Sequence, residues 1–196
     1  MNRRTSTLWL SLLLGFLAAG CNTNQPTTIR FKPTGRGPLS SIKPLKVLIQ
    51  VDDQRPLADQ DCVFRIVADV GGTESWFSKK PVALLVQDAL VSEFSKCGHG
   101  AVTNASEAVD ASVKVNLKRF RGFLTTSGGA KVDAHIDAEI LVVSENRKVT
   151  TPPFHISGDY QRGLGRFRNP DDVLSEALAE FVHNVTFDSR LVEGLQ

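Results

Sequence analysis

Between Lys131 and Ile140 the chain alternates without a break. Val132, Ala134, Ile136, Ala138, Ile140 and Val142 fall on one side, and Lys131, Asp133, His135, Asp137 and Glu139 on the other. Strand side chains point to opposite faces in turn, so this pattern requires a strand with one covered face and one wet face. The same period runs through Ala111, Val113, Val115 and Leu117, and again through Phe154, Ile156 and Tyr160. Short connections predict an antiparallel meander, with Pro152 and Pro153 placing its third strand at an edge or delaying its start.

A half-wet sheet needs a cover, and two segments can supply it. From Pro81 to Lys96 the residues Val82, Leu85, Val86, Ala89, Leu90 and Phe94 recur at helical spacing, with Pro81 suited to the first turn and Gly98 just past the end. A second helix is marked by Asn169 as cap, Pro170 and the acidic Asp171 and Asp172 in its first turn. Its apolar stripe is Leu174, Ala177, Leu178, Phe181, Val182 and Val185. Upstream, Leu45–Val51 and Cys62–Val70 read as short strands, the first stopped by Asp52-Asp53-Gln54-Arg55-Pro56. The order β, β, α, β, β, β, α predicts an α/β (α+β) domain: a two-layer sandwich, with a mixed, largely antiparallel sheet and two helices on one face.

The N-terminus has a different grammar. Arg3 and Arg4 precede an apolar run from Leu8 to Ala19, and Ala18-Ala19-Gly20-Cys21 follows as a lipobox. The run is too short to span a bilayer, which takes about 20 apolar residues. Residues 1–20 are therefore expected to be a lipoprotein signal peptide, with Cys21 the lipid-bearing residue of the mature chain. Asn22, in place of Asp, favours the outer membrane, facing the periplasm. Residues 21–44 are rich in Thr, Pro, Gly and Ser and read as a tether, although 27–31 suit a short edge strand. Residues 45–196 are then one domain.

Charge selects no partner by itself, because loss of Arg3 and Arg4 from 23 basic residues leaves 21 against 21 acidic. There is no phosphate-binding Gly-Lys-Ser/Thr loop, His-Glu-x-x-His, Gly-x-Ser-x-Gly or Cys-x-x-Cys. No cofactor, catalytic residue or nucleic-acid partner is expected. Two constellations were open to folding: a metal set of His135 and His155 with Asp133 or Asp137, and a hydrolytic set of His155, Asp159 and a serine. Solvated side chains on the wet face are the preferred reading of both.

The order of lipobox, Pro26-Thr27-Thr28-Ile29, a strand ending in Asp53-Gln54-Arg55, helix, alternating hairpin and C-terminal helix resembles the YajG-like family of uncharacterised bacterial lipoproteins. The auxiliary lipoproteins of ABC-type lipid transporters are similar in architecture. Neither resemblance implies catalytic residues; what they imply is an envelope protein without a settled activity. The segment around Cys62–Lys79 and two additional cysteines depart from the family pattern.

Two local expectations remain. If the first helix runs back beside the strand that begins at Cys62, Cys97 approaches Cys62 and a disulfide forms, as suits an oxidising compartment. The meander also brings the segments after Phe120 and after Tyr160 to one end of the sheet. There Lys118, Arg119, Arg121, Arg162, Arg166 and Arg168, with Phe123 and Phe167, form a candidate patch for an anionic lipid or an acidic envelope protein.

Overall fold

The computed structural model describes residues 24–60, 62–67, 73–106, 108–125, 131–163 and 169–196. Cys21, Arg166 and Arg168 lie outside the described residues, as does the side chain of Arg162. The strands are β1 (Asn24–Thr27), β2 (Lys46–Asp53), β3 (Cys62–Val67), β4 (Thr73–Ser78), β5 (Gly100–Val102), β6 (Ala111–Thr125), β7 (Lys131–Ser144), β8 (Val149–Thr150) and β9 (Phe154–Gly163). The helices are α1 (Leu57–Gln60), α2 (Val82–Lys96), α3 (Pro170–Phe187) and α4 (Ser189–Leu195). All nine strands join one open, mixed sheet, and its longest ladders, β6–β7 and β7–β9, are antiparallel, as the alternation predicts.

β6 is the spine. One edge pairs with β7, and the other is shared end to end by β2, beside Ala111–Leu117, and β3, beside Gly122–Thr125. The inward residues of β6 are odd-numbered through Leu117 and even-numbered from Phe120, because a bulge between Leu117 and Arg119 inserts one extra residue. Without that change of phase every side chain beyond Lys118 would face the wrong layer.

The helices cover one face. On α3 the whole stripe from Leu174 to Val185 is buried, and the Asn169 side chain accepts the Asp172 N–H at 2.8 Å as the expected cap. On α2 Val82, Val86, Ala89, Leu90 and Phe94 are buried, while the short α4 adds Leu191 and Leu195. The close seat of α3 on β9 depends on Gly158, where a Cβ would lie 2.4 Å from the Phe181 amide nitrogen and 2.6 Å from the Ala177 carbonyl oxygen.

Two expectations need correction. The tether over 21–44 is, from Asn24 onward, part of the domain: β1 pairs with β4, Ile29 and Leu39 enter the core, and Glu93 holds the segment. The Glu93 carboxylate is buried, where an unsatisfied charge is costly, and it accepts from Thr34 N–H at 2.7 Å, Thr34 Oγ1–H at 2.8 Å and Gly35 N–H at 2.9 Å. Buried His99 adds a second clasp, taking the Leu45 N–H on Nδ1 and facing the Leu39 carbonyl with Nε2. Composition suggested a linker because these anchors come from residues more than fifty positions downstream.

The Cys62–Cys97 disulfide is the second correction, since both are free thiols. The expectation required β3 to lie beside α2's return, but β3 continues β2 along the same edge of β6. Cys62 thus sits near the Phe120 level of β6, while Cys97 closes α2 just before Gly100, which pairs with Lys46 at the Ala111 end. That is about 25 Å along the strand, far beyond the 7 Å limit for bridging Cα atoms. Burial and the neighbouring Glu93 carboxylate push the Cys97 thiol up, which keeps it protonated.

Asp110 ties three elements together at the Ala111 end, accepting from Lys46 N–H at 2.7 Å and from Asn146 Nδ2 at 3.0 Å. The Lys46 amide bond, then the Asn146 bond, hold its carboxyl below the usual carboxylate range. A depressed folded pKa contributes stability that is whole above the unfolded value, about 3.9, and is lost as pH falls through the folded one. Asp110→Asn is expected to lower the thermal midpoint at neutral pH and to narrow the gap between wild type and variant in acid. Differential scanning calorimetry from pH 7 to pH 3 checks this; a gap that widens on acidification contradicts it.

Candidate functional site

Between Leu117 and Gly122 the outer edge of β6 has no strand neighbour, because β2 has ended and β3 has not begun. The chain fills this gap with the turn and α1 that link β2 to β3. Gln54 N–H donates to the Leu117 carbonyl at 2.9 Å. Arg55, its side chain only 2% exposed, donates from Nη1 to the carbonyls of Phe120 at 3.3 Å and Asp59 at 3.0 Å, and from Nη2 to Gln60 at 2.9 Å. Asp53 neutralises the guanidinium in a two-pronged pair, Nε to Oδ1 at 2.8 Å and Nη2 to Oδ2 at 2.7 Å. All its bonding directions are used within the fold, which makes Arg55 a structural cation.

The arch so formed leaves a cleft of about 210 Å³ against β3 and β6. Phe64 and Phe120 are its buried aromatic residues, and Gly122 lets the Phe64 ring lie against the strand, where a Cβ would come within 2.4 Å of Cδ2. Its cations are Arg65, Lys118, Arg119 and Arg121 beside Arg55; its one lining carboxylate is Asp59, 3.6 Å from Arg65 Nη2. Arg65 also points Nε at the Cys62 sulfur, 3.4 Å away, and Arg121 lies over the Phe123 ring at 5.0 Å. Lys118 Nζ bonds the Gln54 side-chain oxygen, which fastens the bulge to the arch. The sites of Arg119 and Arg121 are exposed.

Three of the six candidate basic residues, Lys118, Arg119 and Arg121, meet in this cleft, on β6 itself and not on a loop beyond it. Register sets Arg162 of β9 opposite Val132, two strands from β6. Register also brings in acidic neighbours that the sequence intervals conceal, with Asp137 opposite Arg119 and Asp133 opposite Phe123. Arg65 and Cys62 were not among the candidate patch residues, and no local pattern marks them: they join β6 only through a parallel pairing almost sixty residues apart.

The wet face assembles neither open constellation. His135, not His155, meets Asp159, Nδ1 to Oδ1 at 2.6 Å, while Ser157 Oγ donates to the same carboxylate at 3.2 Å. The serine thus bonds the acid and not the imidazole, so no base is poised to take its proton. His155 lies 3.9 Å from Glu139 with its side chain 68% exposed. Among the described residues no group of three or more His, Cys, Asp or Glu is placed to hold a metal, and no helix is long and apolar enough to cross a membrane.

Loss of the Arg55 side chain would leave the Phe120, Asp59 and Gln60 carbonyls without their donor and Asp53 without its counter-charge. Arg55→Ala is expected to destabilise the domain by about 3–5 kcal/mol, against about 0.5 kcal/mol or less for Arg119→Ala on the open rim. Urea unfolding of the two variants checks the difference, and equal midpoints contradict it.

No protein-family model matches the chain, and no curated protein matches it. Solved structures do. A Xanthomonas campestris protein of family DUF330 superposes with a TM-score of 0.59 at 14% identity, covering 88% of this chain and 96% of that one. An uncharacterised protein superposes with a TM-score of 0.52 at 12% identity, over 83% and 97% of the two chains. A Neisseria meningitidis lipoprotein, GNA1162, matches more loosely, with a TM-score of 0.41 at 9% identity over 72% and 98%. At these identities the first two likenesses show a shared fold, so the open mixed sheet with helices on one face is an architecture this chain has in common with the Xanthomonas DUF330 protein.

Proposed function

We propose that the chain is a lipid-anchored lipoprotein of the cell envelope, held through Cys21 at the outer membrane and facing the periplasm. Its domain acts as a non-catalytic binding module for an anionic group. The observation that carries the binding role is the cleft: Arg65, Lys118, Arg119 and Arg121 surround an aromatic floor with a single carboxylate among them. Guanidinium groups match phosphate and carboxylate oxygens in pairs, and the rings beside them suit the apolar part of the same ligand. The signal grammar around Cys21 supports the address, and multiple acyl chains would make the attachment firm at about 0.8 kcal/mol per buried methylene.

Two measurements test the halves separately. Cys21→Ala is expected to abolish metabolic lipid labelling and to leave uncleaved precursor, because the thiol accepts the lipid and cleavage follows acylation; normal labelling overturns the anchor. The acyl-free mature domain is expected to sediment with phosphatidylglycerol vesicles and to release as salt rises from 0.1 to 1 M, where screening contracts from about 10 to about 3 Å. Arg119→Ser with Arg121→Ser is expected to reduce that binding at least tenfold, with the thermal midpoint nearly unchanged. Equal binding to neutral phosphatidylcholine vesicles overturns the anionic site.

A further inference from the structure

Among the described residues, strand pairing starts at Asn24, only three residues after Cys21. Three residues span at most about 11 Å, so a bilayer holding the Cys21 lipid lies close to the start of β1. That start has a definite place in the sheet. Asn24 shares one cross-strand row with Ser75, Arg65, Phe123, Asp133 and Gln161. Two rows remain beyond it, ending at Val67, Thr73, Thr125, Lys131 and Gly163. The opposite end, at Ala111 and Ser144, is about 35 Å away along β6.

Resting on the anchor and anionic-site reading above, we propose that the domain stands end-on, with the β3–β4 and β6–β7 ends toward the bilayer carrying its own lipid. The anionic headgroups of that bilayer are then the groups that Arg65 and Arg121, two and four rows from that end, meet. Two independent features converge on this end. The chain exits there, and Arg65, in the Asn24 row, belongs to the cleft. From its last row back to that of Arg121, this end carries Arg65, Arg121, Lys131 and Arg162 against Glu74, Asp133 and Asp159. Segment 24–44, clasped by Glu93 and His99, gives the domain no slack with which to turn over.

Trp76, the one tryptophan after residue 20, pairs with Gln25 of β1 and reports this end directly. The acylated mature protein is reconstituted in phosphatidylethanolamine–phosphatidylglycerol vesicles containing dansyl-headgroup lipid. Energy transfer from Trp76 is expected to exceed, at least fivefold, that from the tryptophan of the double variant Trp76→Phe with Glu145→Trp, which reports the far end. Equal or reversed transfer overturns the orientation while leaving the anchor standing; protein that fails to float with the vesicles overturns both. Because Trp76→Phe perturbs the core, hydrogen exchange on the unsubstituted protein gives a second reading. Slowing on vesicles is expected at residues 73–75 and 131–133, and its appearance at 144–150 instead contradicts the proposal. Finally, Arg65→Ser with Arg121→Ser is expected to halve Trp76 transfer on anionic vesicles, and unchanged transfer removes the headgroups as the cleft's occupants.

Discussion

The fold depends on how the exposed edge of β6 is satisfied where two strands fail to meet. β2 and β3 lie end to end along that edge, and the backbone carbonyls at Leu117 and Phe120 fall in the gap between them. A buried carbonyl without a donor costs about 1–3 kcal/mol. The chain supplies donors from the connection itself, through the Gln54 amide and the Arg55 guanidinium. Using a charge for this purpose requires a counter-charge, and Asp53, two residues earlier, is held to it by two hydrogen bonds. Arg55 therefore also folds α1, because the carbonyls of Asp59 and Gln60 complete its coordination.

The cleft is a consequence of that repair. An arch bonded to the edge of a strand stands away from the strand's surface and leaves a space beneath. The bulge at Lys118 turns Phe120 inward and Arg119 and Arg121 outward, so the space has an aromatic floor and a cationic rim. Neither feature would exist if β2 simply continued into β3. The wet face, by contrast, carries the charges expected of a solvated sheet, and the contact of His135 with Asp159, to which Ser157 also donates, is one of its cross-strand arrangements.

The N-terminal segment changes what an anchor would do. A flexible tether decouples a domain from its membrane, but 24–44 is fastened by the buried Glu93 carboxylate and by His99. An anchor at residue 21 would therefore act close to the sheet itself. The core seals that attachment, since Ile29 and Leu39 are buried with the residues of α2 and α3.

Local periodicity was enough to determine β7, β9, both long helices and the side of the sheet they cover. Each of these is stabilised by contacts that repeat along its own segment, so its pattern is written in consecutive residues. The Asn169 cap and the α3 stripe are legible for the same reason. Tertiary structure alone decided the rest. The bulge in β6, the collinear placing of β2 and β3, the separation of Cys62 from Cys97, and the inclusion of 24–44 each follow from pairings between residues tens of positions apart. Alternation places Arg119 and Arg121 on the outer face only if the phase shift at Lys118 is known, and that shift is stabilised by Gln54 and Arg55 from across the gap. Arg65 joins them through the parallel β3–β6 pairing, a contact whose register no stretch of consecutive residues encodes.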